Sequence, residues 1–351
     1  MADKNGILVC LIVVGLAATG VIMFYKFHGK LNKNDGRFNL TVSKDGDGDY
    51  SSVSEAINAA PSYGETAFYI HVCAGTYDEV VVVPQQKTNI VLVGDGAQST
   101  KITASRHPPQ YPTSDSTTFT VNGDGFMARD IAIENNAGSE DGQAVALLCT
   151  ANYTTFYRCS ILGYHDTLYA KQGMQFYREC DIYGTVDFIF GFASAVFQRC
   201  NLYARVSKYE RVTYTAQGRQ SLDEKSAFTI QGCKITVAPD VGPIQTTMTG
   251  FLGRPWFPYS TVMVMESFLD SIVNASGWEE WPSTRETNAN YLEFRNWGPG
   301  ADTSGRVHWP GFKVVKDESE ALPYTVSELI QGDEWIPRTG VPYDSKFLTN
   351  S

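Results

Sequence analysis

The chain has no concentrated positive charge. Its 28 Lys and Arg are outnumbered by 38 Asp and Glu, the net charge is −10, and no basic run occurs. Nucleic acid and anionic membrane surfaces call for clustered Lys and Arg, so neither fits as a partner. No Gly-x-Ser-x-Gly is present, which removes the serine-hydrolase elbow. No Cys-x-x-Cys is present and the five histidines are scattered, so the sequence offers no metal motif. In the strand-rich part Asn122-Gly123 is the only Asn-Gly pair, which argues against a sandwich built from tight hairpins.

Only one stretch is long and apolar. Residues 7–25 carry no charge and approach the ~20 residues that span a bilayer. They read first as a signal anchor and second as a cleaved signal peptide, followed by a basic stalk to residue 37. Three Asn-x-Ser/Thr triplets, at Asn39, Asn152 and Asn274, place the remainder (38–351) in the lumen or outside the cell.

Asp45-Gly46-Asp47-Gly48-Asp49 resembles a calcium loop, but Tyr50 stands where Gly is needed and Ala56 where the twelfth-position Glu belongs. It reads as an acidic turn. Ser52-Val53-Ser54-Glu55 is a capping box that opens a short helix ended by Pro61. From Phe68 the chain turns to brief β-branched strands: Tyr69–Val72, Val80–Val83 and Ile90–Val93.

A self-similar line follows: Phe156-x-x-Cys159-x-Ile161, then the same pattern at Tyr177/Cys180/Ile182, Phe197/Cys200/Leu202 and Ile230/Cys233/Ile235. Weaker copies start at Met127 and Val264. The anchors are closest together from Phe156 through Tyr177 to Phe197 and spread apart on either side, as loops lengthen the unit. A period of about 20 with one strand per unit predicts an all-β, right-handed, single-stranded parallel β-helix. The four cysteines should form an inward column. Rungs about 4.8 Å apart leave room for a Cys180–Cys200 disulfide in an oxidising compartment. Thr325-Val326-Ser327-Glu328 predicts a second helix, and the aromatic-rich tail should pack along the solenoid and cover an edge.

The phase of the repeat also organises the polar residues. Asp166, Asp187 and Arg254 each fall half a short repeat ahead of an anchor, namely Tyr177, Phe197 and Val264. Gln143 stands slightly further ahead of Phe156. All four therefore share nearly one angular position on their coils. Two adjacent carboxylates cannot both ionise easily, so one holds a proton while a cation keeps the other charged. That separation supplies an acid and a nucleophile, and a nearby amide or imidazole N–H can hold an oxyanion. Arg254 is nominally two rungs past Asp187, about 10 Å at strand spacing, so the longer coils are expected to fold back.

At these residues the chain resembles a family. Gly142-Gln143-Ala144-Val145-Ala146-Leu147, His165-Asp166-Thr167-Leu168-Tyr169, Asp187-Phe188-Ile189-Phe190-Gly191 and Leu252-Gly253-Arg254-Pro255-Trp256 look like the signature segments of plant-type pectin methylesterases. The resemblance runs from Phe38 to Leu348. It implies hydrolysis of methyl esters in pectin (methylesterified homogalacturonan) by a secreted or cell-wall monomer. It implies no cofactor and no metal, with a proteinaceous pectinesterase inhibitor as a further partner. By resemblance Asp187 is the nucleophile, Asp166 the acid and then base, and Arg254 the partner of Asp187. Gln143 and His165 would bind the oxyanion, and Tyr169, Phe190, Trp256 and Trp278 or Trp281 would line the sugar subsites. The residues before Phe38 are too few for the inhibitor-like pro-region of many members.

One departure stands out. The family carries Gln before the acid Asp, and this chain has His165. A neutral imidazole donates one N–H, with a different reach and pH response. Two rival readings follow: a catalytically impaired pectin-binding β-helix, or another pectin-degrading β-helix. The second lacks the Asn-Thr-Asp, Asp-Asp and Gly-His-Gly segments of polygalacturonases, and a lyase would use a calcium-binding acidic cluster. The acidic charge further predicts a preference for highly esterified, near-neutral substrate.

Overall fold

Five anchors that stand far apart along the chain become direct neighbours in one sheet. Phe156 pairs with Tyr177, Tyr177 with Phe197, Phe197 with Ile230 and Ile230 with Val264. The structure is a computed structural model that describes residues 38–206, 209–239, 241, 248–281 and 285–349. The apolar segment 7–25 and the stalk lie outside these residues. Among the described residues no helix is long and apolar enough to cross a membrane.

Three parallel sheets of eleven, eight and six strands wind into a right-handed β-helix. A typical coil runs through Thr154–Tyr157 in the first sheet, Ser160–Leu162 in the second and Leu168–Ala170 in the third. It then returns to the first at Met174–Arg178. Alternate residues of each strand point inward, so the anchors stack: Phe156 on Tyr177 at 5.0 Å and Tyr177 on Phe197 at 4.6 Å between ring centroids.

The corner between the first and second sheets is made the same way on successive coils from Met127 onward. Asp130, Arg158, Glu179, Arg199 and Glu266 all adopt left-handed backbone, with φ from 51° to 56°. Outside glycine this conformation costs about 1–2 kcal/mol. The sharp turn nevertheless preserves the ladder, because each N–H still donates to the next coil, as from Arg158 to the Arg178 carbonyl at 3.0 Å. The cysteine column follows these corners directly.

The weak repeat copy is displaced by one position from its expected frame. Phe156 pairs with Ala128, not Met127, so that unit is Ala128/Ile131/Ile133. Met127 instead faces outward, under the tail.

The expected Cys180–Cys200 bridge is also corrected: both are free buried thiols. In-register rungs hold the two side chains parallel at about 4.8 Å, whereas a disulfide draws the Cβ atoms to roughly 3.8 Å. The Cys200 sulfur accepts from the Cys180 N–H at 3.4 Å, and the Cys180 thiol donates to the Phe156 carbonyl at 3.3 Å.

The two helices form as the sequence indicates, at Val53–Ala59 and Val326–Leu329. The second lacks the side-chain cap, since the Thr325 hydroxyl donates to the Leu322 carbonyl instead. Val53, Ala56 and Ile57 of the first helix close the end of the coil against Val42, Ile70 and Val81. The tail covers a face rather than an edge. Val326, Ile330, Trp335, Ile336 and Val341 lie on Val91, Met127, Tyr157, Phe176 and Val196, outside the eleven-stranded sheet. Asp344 fastens it through Arg178 at 2.8 Å and Arg199 at 3.1 Å.

Candidate active site

The third sheet positions the polar residues. Asp166 stands just ahead of Leu168–Ala170, and Asp187 just ahead of Ile189–Gly191; Leu168 pairs with Ile189. The two carboxylates therefore occupy the same register position on adjacent coils. Both backbones are left-handed, with φ 64° at Asp166 and 51° at Asp187, a conformation that Asp tolerates better than most residues. Gln143 bridges to His165, while Leu147 pairs with Leu168, so the register slips by one between the two pairs. The Thr167 carbonyl absorbs the slip by accepting from both Ala146 and Leu147 N–H.

Asp166 and Asp187 are both buried, and their environments differ. Arg254 donates from Nε to one Asp187 oxygen at 2.8 Å and from a terminal nitrogen to the other at 2.6 Å. This forked, charge-assisted pair suits a carboxylate anion. Burial works against the Arg254 charge, but the Asp187 contact outweighs it and raises the guanidinium above its ordinary value. Asp166 has no such cation. Burial first, then the Asp187 charge, push its carboxyl well above the ordinary 3.8, against smaller opposing effects of Arg254 and of a hydrogen bond from Gln143. One aspartate is thus disposed to hold a proton beside another that is ion-paired.

No folding back of the coils is needed to bring Arg254 to Asp187. Ile189 pairs with Thr215 and Thr213 with Phe251, in steady register. The arginine side chain itself spans the intervening strand. Gly253 brings the backbone close: a Cβ there would lie 2.1 Å from the Thr215 hydroxyl. Glu279 supports this seat, accepting from the Thr213 hydroxyl at 2.9 Å and pairing with Arg211 at 2.7 Å. The Arg254 guanidinium also sits 4.3 Å over the Trp281 ring.

Asp166 and Asp187 open into a cleft of about 390 Å³ lined by Gln143, Tyr169, Lys171, Phe190, Ala216, Trp256 and Trp281, with Thr113 and Ser114. Tyr169 stacks on Phe190 at 4.2 Å, and Trp256 stands edge-on to both. Of the expected aromatics, Trp278 is not there. It is 1% exposed, packs on Tyr291 at 4.4 Å and donates to Glu293 from within the core. Its bridge to Gly253 places it on an inward position, so Trp281, slightly further along, is the one that reaches the cleft. His165 lies beside the dyad, with Nε2 3.3 Å from an Asp166 oxygen. Lys171, Thr113 and Ser114 are additions that the motifs do not indicate. Lys171 has a signal in hindsight, because it shares the face of Tyr169 and its ammonium lies 5.5 Å over that ring. Thr113 and Ser114 come from a loop outside the repeat and carry none.

A parallel β-helix bearing an asymmetric aspartate pair in an aromatic-walled cleft is the class that fold and site define. The chain belongs to the pectinesterase family, whose model, described as Pectinesterase, matches residues 39–333. It is 44% identical over 318 residues to "Pectinesterase 2" of Citrus sinensis, covering 90% of this chain and 62% of that protein. It is 45% identical over 307 residues to "Pectinesterase 3" of Solanum lycopersicum, covering 87% and 56% respectively. The chain thus spans less than two thirds of the length of these curated relatives. Among solved structures, "Pectin methylesterase from Carrot" superposes with a TM-score of 0.88 at 41% identity, covering 90% of this chain and 100% of that one.

Proposed function

We propose that this chain hydrolyses methyl esters of galacturonate units in pectin, releasing methanol and leaving carboxylates. The observation that carries the reading is the asymmetry of the dyad: Asp187 forked to Arg254, Asp166 buried outside that ion pair, both facing one cleft. Family membership supports it.

In the proposed mechanism an Asp187 oxygen attacks the ester carbonyl carbon. The Gln143 amide and the His165 imidazole stabilise the oxyanion. Asp166 gives its proton to the departing methoxy oxygen, so methanol leaves and an acyl-aspartate remains. Water then attacks the acyl carbon while Asp166, now a carboxylate, takes its proton. The product carboxylate departs and Asp187 is regenerated. Arg254 holds the nucleophile in position, and Tyr169, Phe190, Trp256 and Trp281 offer rings on which sugar faces pack. The substrate places the protein in the cell wall or another extracellular pectin-containing space.

A second reading, an impaired pectin-binding protein, rests on His165. Its Nε2 faces Asp166, and a neutral imidazole has one N–H to give. An N–H committed to Asp166 leaves Gln143 alone at the oxyanion, at a cost on the order of 10²–10³ in rate. Methanol release from esterified pectin separates the two readings. The esterase reading predicts methanol and new carboxylates in equal amounts from the wild type and none from Asp187→Ala. Pectin binding without methanol from the wild type would favour the second reading.

A further inference from the structure

The scattered histidines conceal a second cluster, on the first sheet and away from the dyad. His71 and Cys73 are next-but-one neighbours at the end of strand Phe68–Val72 and share a side; Asp95 arrives one coil later, just past Ile90–Gly94. Ligand atoms of the three lie within 4.8 Å of one another.

The arrangement within the cluster is ordered. An Asp95 oxygen lies 2.8 Å from His71 Nε2, and its other oxygen accepts the Ala74 N–H at 2.7 Å. The carboxylate is thereby fixed, and it favours the tautomer with the proton on Nε2. The lone pair of Nδ1 then points toward the Cys73 sulfur, 3.8 Å away. Phe38 stacks on the imidazole at 4.8 Å, holding the ring in that plane. The carboxylates of Asp47 and Asp45 add negative charge toward the thiol. Lys44 is directed elsewhere, over the Tyr77 ring. His71 is buried, whereas Cys73 is half-buried and open to solutes.

We propose that His71 Nδ1 and Cys73 Sγ bind a thiophilic divalent cation of the zinc class, with Asp95 as the carboxylate behind the histidine and water in the remaining positions. A carboxylate–histidine–metal arrangement is the usual way to fix a ligating imidazole. Imidazole and thiolate together select zinc-like ions over magnesium or calcium. A tetrahedral ion about 2.3 Å from sulfur and roughly 2.0–2.1 Å from nitrogen sets those atoms about 3.5–3.6 Å apart, close to the separation seen. Binding displaces the thiol proton to solvent and involves no redox change. The site is structural in character, tying the first coils together, and is independent of the ester-hydrolysis reading.

Cobalt(II) is the probe. Titrated into the reduced full-length chain, it should give a near-ultraviolet thiolate-to-metal absorption that saturates at one equivalent and is displaced by zinc. Cys73→Ser should abolish the band. Asp95→Asn, which keeps the thiol, should weaken binding by about 10- to 100-fold. The His165, Asp166 and Asp187 group has no sulfur and cannot produce the band. Absence of a thiolate band in the wild type, or an undiminished band in Cys73→Ser, overturns the assignment.

Discussion

Two outer faces of the same coils carry similar apolar stripes and meet different fates. On the first sheet Met127, Tyr157, Phe176 and Val196 lie beneath the tail. On the third, Leu148, Tyr169, Phe190 and Ala216 form a rung-by-rung stripe, with Trp256 and Phe192 packed against it. Each coil contributes one residue to each stripe. An apolar stripe on a solenoid therefore signals that something packs there, and what packs is decided by elements far away in sequence. Residues 326–341 occupy the first face. The third is buried to a similar degree, but its Tyr169, Phe190 and Ala216 line the cleft beside the two aspartates.

The largest effect should come from the cleft face. Asp166→Asn should lower kcat by about 10³-fold or more, since the amide cannot cycle a proton. Its stability effect has the opposite sign. The wild-type carboxyl is raised, so the native state keeps a proton that the unfolded state releases above about 3.8. Native stability from this group is greatest below that value and falls as pH rises toward the native pKa. Asp166→Asn should therefore melt above wild type at neutral pH, with the gap closing on acidification; a constant gap would contradict the buried-proton reading.

The covered face should behave in the reverse manner. Trp335→Ala should cost about 3 kcal/mol by denaturant unfolding with the KM for pectin unchanged. Tyr169→Ala on the cleft face should raise KM about tenfold, equivalent to about 1.4 kcal/mol, with kcat less affected. If both variants lost stability and neither moved KM, the two faces would not differ as described. The smallest effect belongs to His165→Gln, which should shift the pH–rate profile by restoring a donor that does not titrate. Identical profiles would mean that His165 takes no part.

The regular coils make part of this visible in the sequence. Asp166 and Asp187, like the strands that follow them, are one short repeat apart, so counting along the chain amounts to counting rungs, and in-phase polar side chains have to be neighbours. Where the coils lengthen, before Phe156 and after Phe197, counting fails. The copy at Met127 is out of frame by one, and Arg254 meets Asp187 through side-chain length that spacing does not reveal. Trp278 and Trp281 look equivalent in the sequence because only the Gly253 bridge shows which of them points inward. The cysteine ladder is legible as a column but not as free thiols, because strand register, which holds adjacent sulfurs apart, is a property of the folded sheet. The gathering of His71, Cys73 and Asp95 is invisible, since His71-Val72-Cys73 alone is no metal motif and Asp95 joins the pair only across the coil.

The account turns on Asp166 being protonated while Asp187 is ionised in the resting protein. Infrared difference spectroscopy at neutral pH reads this directly, through the carbonyl stretch of a protonated carboxylic acid. The account predicts that band in the wild type, its loss in Asp166→Asn and its persistence in Asp187→Asn. A wild type without the band, or a band lost with Asp187 rather than Asp166, would contradict it.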